Sequence, residues 1–327
     1  MTGLKFLLTT YSTAFTVSGG GESELVQVAE ILKSSGVHTD IYGIGSRPLS
    51  FYDGVIHFSV HADGHAILRE AALKKKRVFL WPNVWWSEAP SDAEVQRIAE
   101  MARNAHKLLF KSDAELENFT RYVDVPAQKL EVVPTCVSNR FLAEPDRDLA
   151  STVCNTSDFA LCLGLIEPIK NQLRLVKALN ALQLDGVFVG GARDDDYYQA
   201  CVAEAHPGIQ FLPFVQPCSA LLRSIIANCS VMAEPSIDPP GRSALEGAIM
   251  QKPLVISDGP WQQEHFAENV WYTPTDSVDA LAAAIDRART DPDREVKIAN
   301  NYERVFSRHS ASTIGPKLVE LLARESI

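Results

Sequence analysis

Two carboxylates and the proline–glycine run between them carry the most specific chemistry in this sequence. Asp238 and Glu246 have seven residues between them, including Pro239-Pro240-Gly241-Arg242-Ser243. The two prolines disfavour helix before Gly241, so a helix is expected to start there. The first turn of a helix has N–H groups without intrahelical acceptors and sits at the positive end of the helix dipole. Gly241, Arg242 and Ser243 are therefore candidate contacts for a diphosphate. With Asp238 on the loop and Glu246 in the early turns, both can meet one ligand at different depths. Carboxylates accept hydrogen bonds from sugar and ribose hydroxyls, each contributing roughly 1.5–3 kcal/mol when charge-assisted. The competing reading is a Pro-capped helix with solvated acids.

The elements that must position these residues alternate along the chain. The N-terminal half reads as strands at Lys5–Thr10, Thr39–Gly43, Gly54–Val60, Arg77–Leu80, Lys107–Lys111 and Lys129–Val133. Helical stretches at Gly19–Ser34, Ala66–Leu73, Asp92–Ala105 and Asp113–Tyr122 separate them. A polar run from Ala143 to Asp158 then has little periodicity. After it the alternation restarts with strands at Phe159–Gly164, Gly186–Val189, Ile209–Leu212, Val231–Ala233 and Pro253–Ser257. Helices at Gln172–Leu182, Tyr197–Ala205, Ser219–Ala227, Ser243–Met250 and Val278–Ala288 belong with them, followed by a helical tail. Strand and helix alternating at this spacing predicts parallel βαβ units. The expected organisation is an N-terminal Rossmann-like domain over residues 1–145, a linker over 146–158, a C-terminal Rossmann-like domain over 159–300 and a tail over 301–327 that packs back on the first domain. Two such α/β domains in tandem are expected to face a central cleft at the carboxyl ends of their sheets.

Bulk properties narrow the function classes. The chain has 327 residues, 46% of them hydrophobic, and a formal net charge of -10. That length supports two cores, and the acidic balance argues against a nucleic-acid partner. There is no signal-peptide pattern and no apolar run of membrane-spanning length, so a cytoplasmic location is expected, extending to the inner face of the membrane if the basic run Lys74-Lys75-Lys76-Arg77 meets anionic lipid. A solvated helix end is the first reading of that run. The six cysteines lack metal-binding spacing and are expected as reduced thiols.

The Asp238–Glu246 stretch resembles the acidic motif of retaining GT-B glycosyltransferases, particularly glycosyltransferase family 4, in which a carboxylate is followed by seven residues and a Glu. The resemblance implies that Asp238 contacts a donor sugar, that Glu246 holds the nucleotide ribose, and that Gly241 takes the family's glycine position. Leu161-Cys162-Leu163-Gly164-Leu165-Ile166-Glu167-Pro168-Ile169-Lys170-Asn171 is similar to the family's strand, Gly-Arg and Lys segment. Lys170 stands six residues after Gly164 as that pattern requires, and its ammonium is expected to neutralise the leaving diphosphate. Leu165 replaces the family's Arg; Arg242 and Arg193 are the candidates to substitute for it. Ser18-Gly19-Gly20-Gly21-Glu22 resembles the family's glycine loop, with Gly20 expected against phosphate or sugar. A dinucleotide-binding alternative is disfavoured because the G-x-G-x-x-G spacing is not met.

Where many relatives carry a histidine after the fourth strand, this chain has Asn83, able to hydrogen-bond a sugar hydroxyl but not to titrate. His61 is the nearby candidate to take the histidine's place. His57, His61 and His65 lie four apart, but they straddle a strand-to-loop transition rather than one helical face, and no metal site is expected. Trp85 and Trp86 are candidate stacking surfaces for an acceptor, with Trp81 expected in the core. The resemblance thus implies a metal-independent transferase without a cofactor. It would move a hexose-type sugar from a nucleoside-diphosphate sugar to a glycan or lipid-linked acceptor with retention. The alternatives are a nucleotide-sugar epimerase of the same fold and a non-catalytic nucleotide-sugar-binding subunit.

Overall fold

The computed structural model describes residues 3–16, 20–239 and 241–324. The chain divides into two compact units, one running to Cys136 and resuming at Ala311, the other spanning Val137–Ser310. The boundary therefore falls ahead of the polar run expected to serve as a linker. That run is part of the second unit, where its 3-10 turn Arg147–Thr152 is held by polar contacts. The Ala150 N–H donates to Ser224 Oγ at 2.8 Å, Arg147 Nη1 donates to the Ala227 carbonyl at 2.9 Å, and Asn228 Nδ2 donates to the Arg147 carbonyl at 2.9 Å. Polar composition here serves docking rather than a free linker.

In the first unit, β1 (Lys5–Thr9), β2 (His38–Ile41), β3 (Gly54–Phe58), β4 (Arg77–Trp81), β5 (Lys107–Phe110) and β6 (Leu130–Val132) form one parallel sheet ordered β2-β1-β3-β4-β5-β6. Both faces are covered, so successive residues alternate between two apolar layers. Phe6, Leu8, Ile56, Phe58, Phe79 and Trp81 pack with α1 (Gly20–Ser34) and the C-terminal helix Ala311–Arg324. Leu7, Val55, Val78, Leu80 and Leu108 pack on the other face with α2 (His65–Leu73), α3 (Asp92–Asn104) and α4 (Asp113–Thr120). Ser91 and Ser112 cap α3 and α4 through their side chains, which helps fix where those helices begin.

In the second unit, β7 (Phe159–Leu163), β8 (Asp185–Val189), β9 (Ile209–Leu212), β10 (Val231–Glu234), β11 (Leu254–Ser257) and β12 (Trp271–Thr273) form a parallel sheet ordered β12-β11-β10-β7-β8-β9. Helices α5 (Gln172–Leu182), α6 (Asp195–Glu204), α7 (Ala220–Asn228), α8 (Arg242–Ile249), α9 (Pro260–Phe266), α10 (Val278–Thr290) and α11 (Arg294–His309) flank it, and Ala311–Arg324 is α12. The short elements α9 and β12 were not anticipated from the sequence. In each sheet the strand order reverses once, between β1 and β3 in the first unit and between β7 and β10 in the second. The carboxyl ends of the strands at such a reversal are the position that ligands favour in this architecture.

Candidate functional site

The β7/β10 reversal is where the second unit gathers its polar residues. Gly164, just after β7, has φ +132, and a Cβ on Gly190 would lie 1.9 Å from the Gly164 carbonyl oxygen. The ends of β7 and β8 thus touch through their backbones, and only glycine fits at Gly190. From there the chain makes the turn Pro168–Lys170 and enters Asn171 in a left-handed conformation, φ 62, before α5. Asn171 is buried, and its Nδ2 donates to the carbonyls of Pro235 at 3.0 Å and Thr275 at 2.9 Å. The Ile237 N–H donates to the Ile169 carbonyl at 2.8 Å. These bonds staple the loop after β7 to the loop after β10.

That stapling brings together two residues far apart in sequence. Lys170 Nζ donates to both carboxylate oxygens of Asp238, at 2.8 and 2.9 Å, and Ser236 Oγ donates to Asp238 Oδ1. Both partners are about one-quarter exposed, so the pair remains open to solvent. Gly241, with φ 79, caps α8, and Arg242 and Ser243 form its first turn. Arg242 Nη2 pairs with Glu246 Oε1 at 3.2 Å, one helical turn apart, while Arg242 Nη1 is buried with no hydrogen-bond partner. Glu246 is buried, and desolvation raises its carboxyl above the usual range against the opposing pull of Arg242. Arg193, the other candidate to replace the missing arginine, is exposed and pairs with Glu167 at 3.3 Å.

Glu234 belongs to the same group, although the sequence motif does not mark it. It ends β10 with 5% of its surface exposed, accepts a 2.7 Å hydrogen bond from Ser243 Oγ, and is pushed up to about 8 by burial. Strand alternation was the available signal. Val231 and Ala233 point into the core under α5 and α10, so Met232 and Glu234 must point to the α8 face.

At the β1/β3 reversal of the first unit, a second group of polar residues assembles. The Tyr11 and His61 rings lie 4.4 Å apart, the Tyr11 hydroxyl donates to Glu22 in the first turn of α1, and Ser12 bonds Asp63. Gly20 begins α1 and is exposed, while Ser18 and Gly19 lie outside the described residues. His57 is fully buried, with Nδ1 2.8 Å from Thr9 Oγ1 and Nε2 over Gly64, and desolvation lowers it to about 4. It is a core histidine, neutral at pH 7. Asn83, after β4, is left-handed with φ 51, and its Oδ1 is buried without a partner. Trp85 is half-buried. Trp86 is locked by packing on Phe119 and Tyr122, and its backbone exchanges two hydrogen bonds with the Asn118 amide at 3.0 and 2.9 Å. Trp81 is buried against Phe58, where the sequence placed it. Among the described residues no cluster of three or more His, Cys, Asp or Glu could hold a metal ion, and no helix is long and apolar enough to cross a membrane.

Residues 158–291 match the family model described as "Glycosyl transferases group 1". No curated protein matches the sequence. Among solved structures, the Anabaena protein Alr3699/HepE in complex with UDP and glucose is similar, with TM-score 0.79, 18% identity, and coverage of 98% of this chain and 100% of that one. Sucrose-phosphate synthase from Thermosynechococcus elongatus is similar with TM-score 0.81, 17% identity and coverage of 98% and 99%. A glycosyltransferase from Rickettsia africae is similar with TM-score 0.78, 16% identity and coverage of 98% of each chain. These likenesses, with the two reversed parallel sheets, establish the GT-B fold.

Proposed function

We propose that this protein is a glycosyltransferase that moves a sugar from a nucleoside-diphosphate sugar to a glycan or lipid-linked acceptor, with retention and without a metal. The observation that carries this reading is the meeting of Lys170 and Asp238 at the strand-order reversal of the second unit, beside the first turn of α8. An ammonium has three donors. Two serve Asp238 in the free protein, leaving the third for a phosphate oxygen. The first-turn N–H groups of Gly241–Ser243 add a second electropositive contact to the leaving diphosphate. Asp238, steadied by Lys170 and Ser236, accepts from donor-sugar hydroxyls. Glu246 accepts from the ribose through an oxygen that Arg242 does not occupy. In the first unit, Gly20, His61 and Asn83 are proposed as sugar contacts and Trp85 as a stacking surface for the acceptor.

The support is convergent. The family model covers the part of the chain that holds the proposed donor site, and one structure of the same fold was solved with UDP and glucose. Catalysis would come from positioning and from charge stabilisation of the leaving group, with no cofactor and no covalent intermediate. The test is incubation with nucleotide-sugars and glycan or lipid-linked acceptors in the presence of EDTA, with the product read by NMR. The expected result is acceptor-dependent transfer, with the anomeric configuration of the donor preserved. A free epimer formed from donor alone, or binding without transfer to any acceptor, would overturn the assignment.

A further inference from the structure

Near the β7/β10 reversal, the mechanism above leaves the buried acid Glu234 unused. Resting on the donor-binding reading, we propose that Glu234 is a positioning residue of the donor site. Its neutral carboxyl fixes the Ser243 hydroxyl in the first turn of α8, and its charged form rejects a diphosphate.

The geometry comes first. Glu234 closes β10 on the face that α8 covers, is 95% buried, and holds Ser243 Oγ at 2.7 Å through Oε2. Oε1 is also buried and has no hydrogen-bond partner. A carboxylate in that position would carry an uncompensated lone oxygen in a dry environment, an arrangement that favours keeping the proton. The surroundings add to this. Facing Glu234 are the Cys162 thiol from β7, Lys170 from the turn after β7, Asp238 from the loop after β10, and Ser243 and Glu246 from α8. Burial pushes the Cys162 thiol far up, so it contributes no charge near neutrality. Arg242 is engaged by Glu246. The two cations Lys170 and Arg242 are thus matched by Asp238 and Glu246 alone. A third carboxylate makes the cluster net negative where a diphosphate must sit.

Burial holds Glu234 up at about 8, while the Ser243 hydrogen bond steadies the charged form and works in the opposite direction. One group with that midpoint, binding donor only when protonated, weakens donor affinity about tenfold between pH 7 and pH 9. The nucleotide's own last phosphate ionisation lies near 6 and does not contribute in this range.

The experiment is calorimetric titration of the full-length protein with UDP, GDP and ADP from pH 7 to pH 9, in wild type, Glu234→Gln and Ser243→Ala. The expected results are an approximately tenfold weakening in wild type, constant affinity in Glu234→Gln, and a break moved to higher pH in Ser243→Ala. If Glu234→Gln does not fold, Ser243→Ala decides alone, because a merely structural serine would leave the break where it was. Wild-type affinity constant within twofold, or a Glu234→Gln protein that keeps the wild-type break, overturns the inference while leaving the donor-binding reading intact. Absence of binding by any nucleotide at any pH overturns both.

Discussion

Replacing Lys170 by Met separates the two jobs of this side chain. In the free protein its ammonium holds Asp238 at 2.8 and 2.9 Å, with about a quarter of each side chain exposed. An ion pair this open to solvent contributes at most about 1 kcal/mol to folding. For a unit of this size that is a melting shift of roughly 2–4 °C. The loss in catalysis is expected to be larger. A charge-assisted contact to a phosphate oxygen is worth roughly 1.5–3 kcal/mol, so kcat/KM for the nucleotide-sugar should fall about 10- to 150-fold. If the contact tightens as the diphosphate leaves, most of the fall appears in kcat; if it is already complete in the bound donor, KM carries it. Steady-state transfer assays, paired with thermal melts of the same preparations, measure both jobs. A Lys170→Met protein that melts normally and keeps kcat/KM within threefold of wild type would refute the reasoning.

Three further outcomes follow from the structure. Glu246→Ala leaves the largely buried Arg242 guanidinium without its carboxylate and should cost up to about 3–5 kcal/mol in urea unfolding, whereas Glu246→Gln keeps an acceptor oxygen and should cost clearly less. His57 and His265 are both buried and lowered from 6.5 to about 4 by desolvation. The unfolded chain therefore takes up their protons first as pH falls, and stability that is full above about 6.5 is lost toward pH 4, by about 3 kcal/mol for each histidine. Melting curves across that range, with His57→Gln showing a shallower decline, check this. Gly190→Ala places a Cβ 1.9 Å from the Gly164 carbonyl oxygen, so β7 and β8 must part at their ends. It should destabilise the second unit by about 1–3 kcal/mol or more and weaken nucleotide-sugar binding as well.

The sheets were readable in the sequence because each strand is short, apolar and bounded by polar turns, and the predicted strands match the observed ones to within a residue or two. The motif from Asp238 to Glu246 was readable because prolines and a glycine force a loop-to-helix change there. What escaped was three-dimensional. Nothing in Val231–Glu234 says that Ser243 will fold back onto Glu234. Nothing in the sequence marks Asn171, whose left-handed backbone and two bonds to distant carbonyls fasten Lys170 in place. The segment after Ala143 looked like a linker because the groups it bonds to lie on α7, some eighty residues away. Trp86 offered an aromatic face in sequence, and Phe119, Tyr122 and Asn118 hold it in the packing of the first unit. Helix α9 was missed because it is one short turn-like element beginning at a proline.

The central claim is that a nucleoside-diphosphate sugar binds at the carboxyl ends of β7 and β10. A thermal-shift series of UDP-, GDP- and ADP-sugars against wild type and Lys170→Met tests it most directly. At a hundred times its Kd, a bound ligand adds about 2.7 kcal/mol to stability. The account predicts a rise of several degrees in wild type with at least one nucleotide-sugar, much reduced in Lys170→Met. No rise with any of them at millimolar concentration, or an equal rise in the two proteins, would contradict it.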